Sequence, residues 1–136
     1  MNRRRTSGIK SENDLQVQVV RLLRLHNFIP IQTDAVGPAL HFIPTVEGRI
    51  RFTQWSKARG WSAGITDLVV IHKTGVFFLE LKTPTGRLSP EQKIWRDRLI
   101  SEGYDWKCWR TIEECQEFII SKLNKQGKEK KDTQNF

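Results

Sequence analysis

Cysteine is scarce in this 136-residue chain: Cys108 and Cys115 are the full set, and no CxxC pair occurs. Two thiols cannot complete a four-ligand zinc site by themselves. One lies in a strand-like stretch and the other in a helix-like one. Both read as reduced residues packing as small hydrophobes, as suits a cytoplasmic protein. Long apolar runs are also missing, since no stretch approaches the roughly 18 residues a membrane-spanning helix needs. Residues 1–10 are basic and polar with no apolar segment behind them, so no secretory signal is expected. There is no internal repeat. Acidic residues are few, with 15 Asp and Glu against 23 Lys and Arg, a net charge of +8. That surplus favours a polyanionic partner, nucleic acid first. The plainer alternative is a soluble protein that is merely basic. An anionic membrane surface fits less well, because no segment joins a basic face to a strong apolar one.

What is present suits one domain. The length matches a single compact unit, and five Trp and seven Phe enlarge a modest apolar content because each ring buries much area. Residues 1–10 carry Arg3, Arg4, Arg5 and Lys10 without periodicity. They form a flexible arm that either contacts phosphates or is simply a solvated terminus. Ser11 and Asp14 have capping spacing ahead of a helix in which Leu15, Val19, Leu22 and Leu23 recur on one face. That helix should stop near His26-Asn27, before Pro30. Residues 28–32 and 39–43 are expected to be strands, with Gly37-Pro38 turning between them. Arg49, Arg51, Lys57 and Arg59 then alternate with Phe52, Trp55 and Trp61. The pattern describes either a nucleic-acid surface or an ordinary amphipathic strand.

Beyond residue 66 the signals sharpen. Residues 67–72 and 76–82 read as strands joined at Lys73, Thr74 and Gly75. Ser89, Pro90 and Gln92 open a helix with a capping box. Ile94, Trp95, Leu99 and Ile100 supply its apolar stripe, and Gly103 stops it. Residues 104–110 are a further strand. Thr111 and Glu114 cap a last helix carrying Cys115, Phe118, Ile119 and Leu123. From residue 125 onward the chain is polar and expected to be disordered. The expected domain therefore spans residues 11–124, and its fold class is α/β, a central mixed sheet flanked by helices.

Three ionisable residues sit where a buried sheet would not want them. Glu80 and Lys82 are two apart on a hydrophobic strand, so they share a face. If the hairpin closes on a two-residue loop at Lys73-Thr74, Asp67 lies directly opposite Glu80; a change of one residue would turn it away. Two adjacent carboxylates repel unless a cation or a proton lies between them. With a backbone carbonyl and waters they make a hard-oxygen site suited to Mg²⁺ or Mn²⁺. The ordinary alternative is a salt bridge at a sheet end.

Gly64-Ile-Thr-Asp67, Glu80-Leu-Lys82 and Gln92 together resemble the motif set of the PD-(D/E)XK nucleases, and more narrowly its VRR-NUC branch, which includes small stand-alone phage and bacterial proteins. The longer phrases 60–67 and 86–92 are similar too, and Glu12 and Gln16 resemble that family's opening Glu motif. The likeness runs from about residue 11 to residue 120 and is thinnest through 30–58. It departs at Ile65-Thr66, where a Pro is frequent in the superfamily. The resemblance implies a restriction-endonuclease-like fold and a Mg²⁺- or Mn²⁺-dependent DNA endonuclease. By it, Asp67, Glu80 and the Leu81 backbone carbonyl would hold the metal and Lys82 would serve the attacking water. Glu12 would approach the metal through water. Gln92 would order the site, unless it is only a helix cap. Arg49, Arg51, Lys57, Arg59 and Arg87 are the expected DNA contacts. Stand-alone members resemble Holliday-junction resolvases, which implies branched DNA as substrate, a homodimer, no membrane association, and a phage protein acting in a bacterial host. A nuclease fold that has lost catalysis and kept DNA binding is the alternative. His26, His41 and His72 match no motif and are expected on the surface or in packing.

Overall fold

Ser11 opens the first helix as its spacing predicts, its hydroxyl accepting from the Asp14 N–H at 3.1 Å. In α1 (Glu12–Leu25), Leu15, Val19 and Leu23 recur every fourth residue and are completely buried. The helix ends where expected. Asn27 follows with a φ of 65°, a left-handed conformation that Asn tolerates better than most residues. The computed structural model describes residues 11–134; the arm expected over residues 1–10 lies outside them. After α1 come β1 (Ile29–Gln32), α2 (Val36–Leu40), α3 (Val46–Ala58), β2 (Leu68–His72), β3 (Gly75–Leu81), α4 (Pro90–Ser101), β4 (Asp105–Trp109) and α5 (Ile112–Gln134). Among these residues no helix is long and apolar enough to cross a membrane.

Four expectations need correction. Residues 39–43 are not a strand, and the basic-aromatic segment after them is helical. Side-chain caps decide this. Asp34 Oδ1 accepts from the N–H groups of Val36 and Gly37 at 3.2 and 3.1 Å, and Thr45 Oγ1 accepts from Gly48 N–H at 3.1 Å. The last helix does not end near residue 124 but runs on to Gln134. Its polar extension is rich in Lys, Gln and Glu, and a helix already nucleated against a core propagates easily through such residues. Finally, the apolar stripe of α4 is mostly uncovered: only Leu99 is buried, while Ile94 and Ile100 are exposed.

The sheet has the order β1-β2-β3-β4. β2 is antiparallel to both neighbours, and β3 and β4 are parallel, so α4 serves as the crossover that parallel strands require. Alternation sorts the sheet into two faces. On the inner face Leu68, Val70, Phe77, Leu79, Leu81 and Trp109 pack against α1 and against Cys115 and Ile119 of α5. Truncating one such leucine to alanine costs about 2–5 kcal/mol. The outer face is graded. Ile29, Ile71 and Val76 form one row, Ile31, Val69, Phe78 and Trp106 the next. Continuing the same pairing, Asp67, Glu80 and Cys108 make a third row, at the end over which α4 closes.

Candidate active site

The hairpin register brings the carboxylates together. His72 pairs with Gly75 and Leu68 with Leu79, so one step further sets Asp67 opposite Glu80, as the two-residue loop predicted. The residues before β2 are pinned from β1: Thr33 N–H donates to the Asp67 carbonyl at 3.2 Å, and the Thr33 hydroxyl donates to the Thr66 carbonyl. Asp67 Oδ2 accepts from Leu81 N–H at 2.8 Å. In an extended strand the N–H and C=O of one residue leave on the same edge, so the Leu81 carbonyl also lies on the Asp67 side.

Glu80 is 2% exposed. Burial pushes its carboxyl up, and the neighbouring Asp67 charge and hydrogen bond push it further, to about 9. Asp67 is raised as well, by burial first, with the Leu81 N–H opposing. Burial and the facing carboxylate thus both favour a proton on Glu80 in the metal-free protein. Gln92 serves both roles considered for it. Its Oε1 accepts from Ser89 N–H at 2.8 Å, completing the capping box, and its Nε2 donates to Glu80 Oε1 at 2.9 Å. Lys82, just past β3, donates its N–H to the Trp109 carbonyl at 3.1 Å, and its Nζ stands 3.8 Å from Glu12 Oε1. The Lys82 side chain is largely buried, while that of Glu12 is about half exposed. Glu12, Asp67, Glu80, Lys82 and Gln92 therefore converge at one end of the sheet.

Two further residues shape this end. Gly64 has a φ of +80°, and a Cβ there would fall 2.4 Å from the Glu91 carbonyl carbon. The glycine thus lets the loop before Asp67 rest on the first turn of α4, which carries Gln92. Arg110 donates from one guanidinium nitrogen to the carbonyls of Thr83 and Gly86, tying down the connection between Lys82 and α4. No local pattern marks Arg110, since its partners are 27 and 24 residues away.

The expected DNA contacts are dispersed. Arg49, Arg51, Lys57 and Arg59 are exposed on and just after α3, with Arg59 lying over the Trp55 ring at 4.4 Å. Arg87 is exposed on the loop before α4. Among the described elements α3 packs on α2 alone, so its basic surface is separate from the sheet. His72 stacks on Phe28 at 3.9 Å and is a packing residue. His41 instead lines a cleft shared with Asp67 and Glu12. Cys115 is buried and its thiol is pushed up to about 12 by that burial, so it is no nucleophile.

The pair fits a divalent cation. Its oxygens are hard donors, and a buried Glu80 carboxyl facing the half-buried Asp67 is a place where positive charge is favoured. Among the described residues no cluster of three His, Cys, Asp or Glu side chains forms. The residues that could hold such an ion are the two carboxylates and the Leu81 carbonyl, with Glu12 paired to Lys82 beside them.

An α/β sheet with this carboxylate–lysine end is a nuclease-type fold. The VRR-NUC domain family matches residues 10–111, most of the chain, and the chain belongs to that family. A solved structure described as a VRR_NUC domain shares the fold, with a TM-score of 0.56 at 16% identity over 79% of this chain and 92% of that one. A comparison with curated proteins finds no match.

Proposed function

We propose that this chain is a Mg²⁺- or Mn²⁺-dependent endonuclease that hydrolyses DNA phosphodiester bonds and prefers branched DNA such as four-way junctions. The observation that carries this reading is the Asp67–Glu80 pair, the half-buried Asp67 set by the hairpin register opposite the buried Glu80, with Lys82 on the same strand face. Asp67, Glu80 and the Leu81 carbonyl would hold the ion. When bound, it would polarise the scissile phosphate and acidify a water. Lys82 orients the attacking water and offsets charge gathering on the phosphate. Gln92 holds the Glu80 carboxylate at one angle through its 2.9 Å hydrogen bond. Glu12 keeps the Lys82 ammonium in place. Exposed cations on α3 and Arg87 hold the backbone of the duplex arms.

Paired nicks on opposite strands need two sites related by a twofold axis, so a homodimer belongs to this reading. The outer sheet face supports it. Ile29, Ile31, Ile71 and Val76 lie together there and are 37–56% exposed, and a second copy would cover them.

Wild type and Glu80→Ala are compared on a labelled four-way junction and a matching linear duplex, with Mn²⁺ and with EDTA. Cutting by wild type alone, with metal alone and faster on the junction, is expected. Equal cutting of both substrates would remove the branched-DNA preference. A gel shift with no cutting would leave a DNA-binding module in place of an enzyme.

A further inference from the structure

A cleft of about 500 Å³ opens from Asp67 and Glu12 away from Glu80 and Lys82, lined also by Asn13, Gln16, Gln32 and His41. Its size falls in the range of roughly 300–1,000 Å³ typical of small-ligand sites. Among the described residues no Lys or Arg lines it, and Asp34 on its wall is already committed, its Oδ1 accepting from Val36 N–H, Gly37 N–H and Trp61 Nε1–H. Among the described residues the side chains of Asn13, Gln16 and His41 form no hydrogen bond with one another or with the rest of the fold. The described lining therefore offers amide and imidazole donors and acceptors beside carboxylates that repel a phosphate. A flat, uncharged, hydrogen-bonding group suits it, and side-chain amides pair well with base edges.

Resting on the nuclease reading, we propose that this cleft receives one unstacked nucleobase, that of the nucleotide flanking the scissile phosphate. Asn13 and Gln16 contact its edge, and His41 presents a ring against its face. The site adjoins Asp67, so a base held there places the neighbouring phosphate at the carboxylate pair. Bases next to a branch point have weakened stacking and enter at less cost than bases inside a duplex, which gives a physical source for preferring branched DNA. Gln16 lies within the family's opening motif, whereas Asn13 and His41 do not, and both of these are exposed, so their replacement spares the core.

The cleavage position on the junction is mapped first, and the flanking nucleotide is then replaced by an abasic one. Wild type should lose about tenfold in kcat/KM, the discrimination of a single good base contact. Asn13→Ala/His41→Ala should lose a similar factor on the intact junction and no further factor on the abasic one. Independent, multiplying losses would overturn the proposal. A second readout needs no cutting: 2-aminopurine at the same position, with Ca²⁺ in place of Mn²⁺, should brighten on binding to wild type and not to the double variant. Tight binding without brightening sinks the base pocket and leaves the nuclease intact. An uncut substrate that nevertheless brightens removes the nuclease and keeps the pocket. No binding at all removes both.

Discussion

At the scale of single residues, Glu80 dominates the response to pH. In metal-free protein burial and the Asp67 charge raise its carboxyl to about 9, above its ordinary value of 4.5. The folded state therefore binds a proton that the unfolded chain has released across that interval. Stability from this group is complete below the unfolded value and declines as pH rises toward about 9. Urea unfolding in EDTA at pH 5, 7 and 9 should give a falling stability for wild type and a flatter profile for Glu80→Gln, which keeps a neutral side chain throughout. Identical profiles would mean that Glu80 ionises freely in the fold. Mn²⁺ bound by Glu80 would displace that proton, so its affinity should rise over the same interval.

Helices and strands differ in how openly the chain announces them. α1 and α4 carry hydroxyl caps and fourfold or box spacing next to the residues they govern, and both are legible. α2 and α3 are not, because Asp34 and Thr45 act as caps inside a segment whose apolar residues fit two periods. The helical form matters for function: the cations of residues 49–59 stand on or just after a helix that, among the described elements, packs on α2 alone, a projecting element rather than a sheet strand. Such an element can reach a duplex arm without disturbing the core. Arg51→Ala and Lys57→Ala, both exposed, should each weaken duplex binding evenly across sequences and lower the slope of log K against log salt by about 1. Fluorescence anisotropy between 50 and 200 mM salt, the range over which such contacts are lost at roughly 10³–10⁵ in affinity, measures it. An unchanged slope would remove α3 from the DNA surface.

For the molecule as a whole, the two faces of the sheet have different fates. The inner one is closed by α1 and α5. The outer one is closed by α4 only at the β4 side and leaves Ile29, Ile31, Ile71 and Val76 to solvent. A monomer that exposes such a contiguous apolar row is liable to associate. Sedimentation at micromolar concentration should show a dimer for wild type and a folded monomer for Ile31→Glu/Ile71→Glu. Paired nicking of a four-way junction should then separate into unlinked single nicks. A monomeric wild type would leave that face for another partner and remove the twofold arrangement of sites.

The sequence by itself determined the chemistry of the site and most of its placement. Strand alternation put Glu80 and Lys82 on one face, and the two-residue loop put Asp67 opposite, since both follow from local geometry of a hairpin. It also announced Gln92 through its cap. Only the tertiary structure decided what lies between distant segments: that Gln92 reaches Glu80 from α4, that Glu12 meets Lys82, that Gly64 must be a glycine because α4 leaves no room for a Cβ, and that Arg110 holds the loop after Lys82. His41, which no motif marks, is exposed as expected, and it lines the cleft beside Asp67 for the same reason. These contacts join residues 12 to 70 positions apart, and no period or cap in a linear chain encodes which of them the packing of helices on a sheet will bring together.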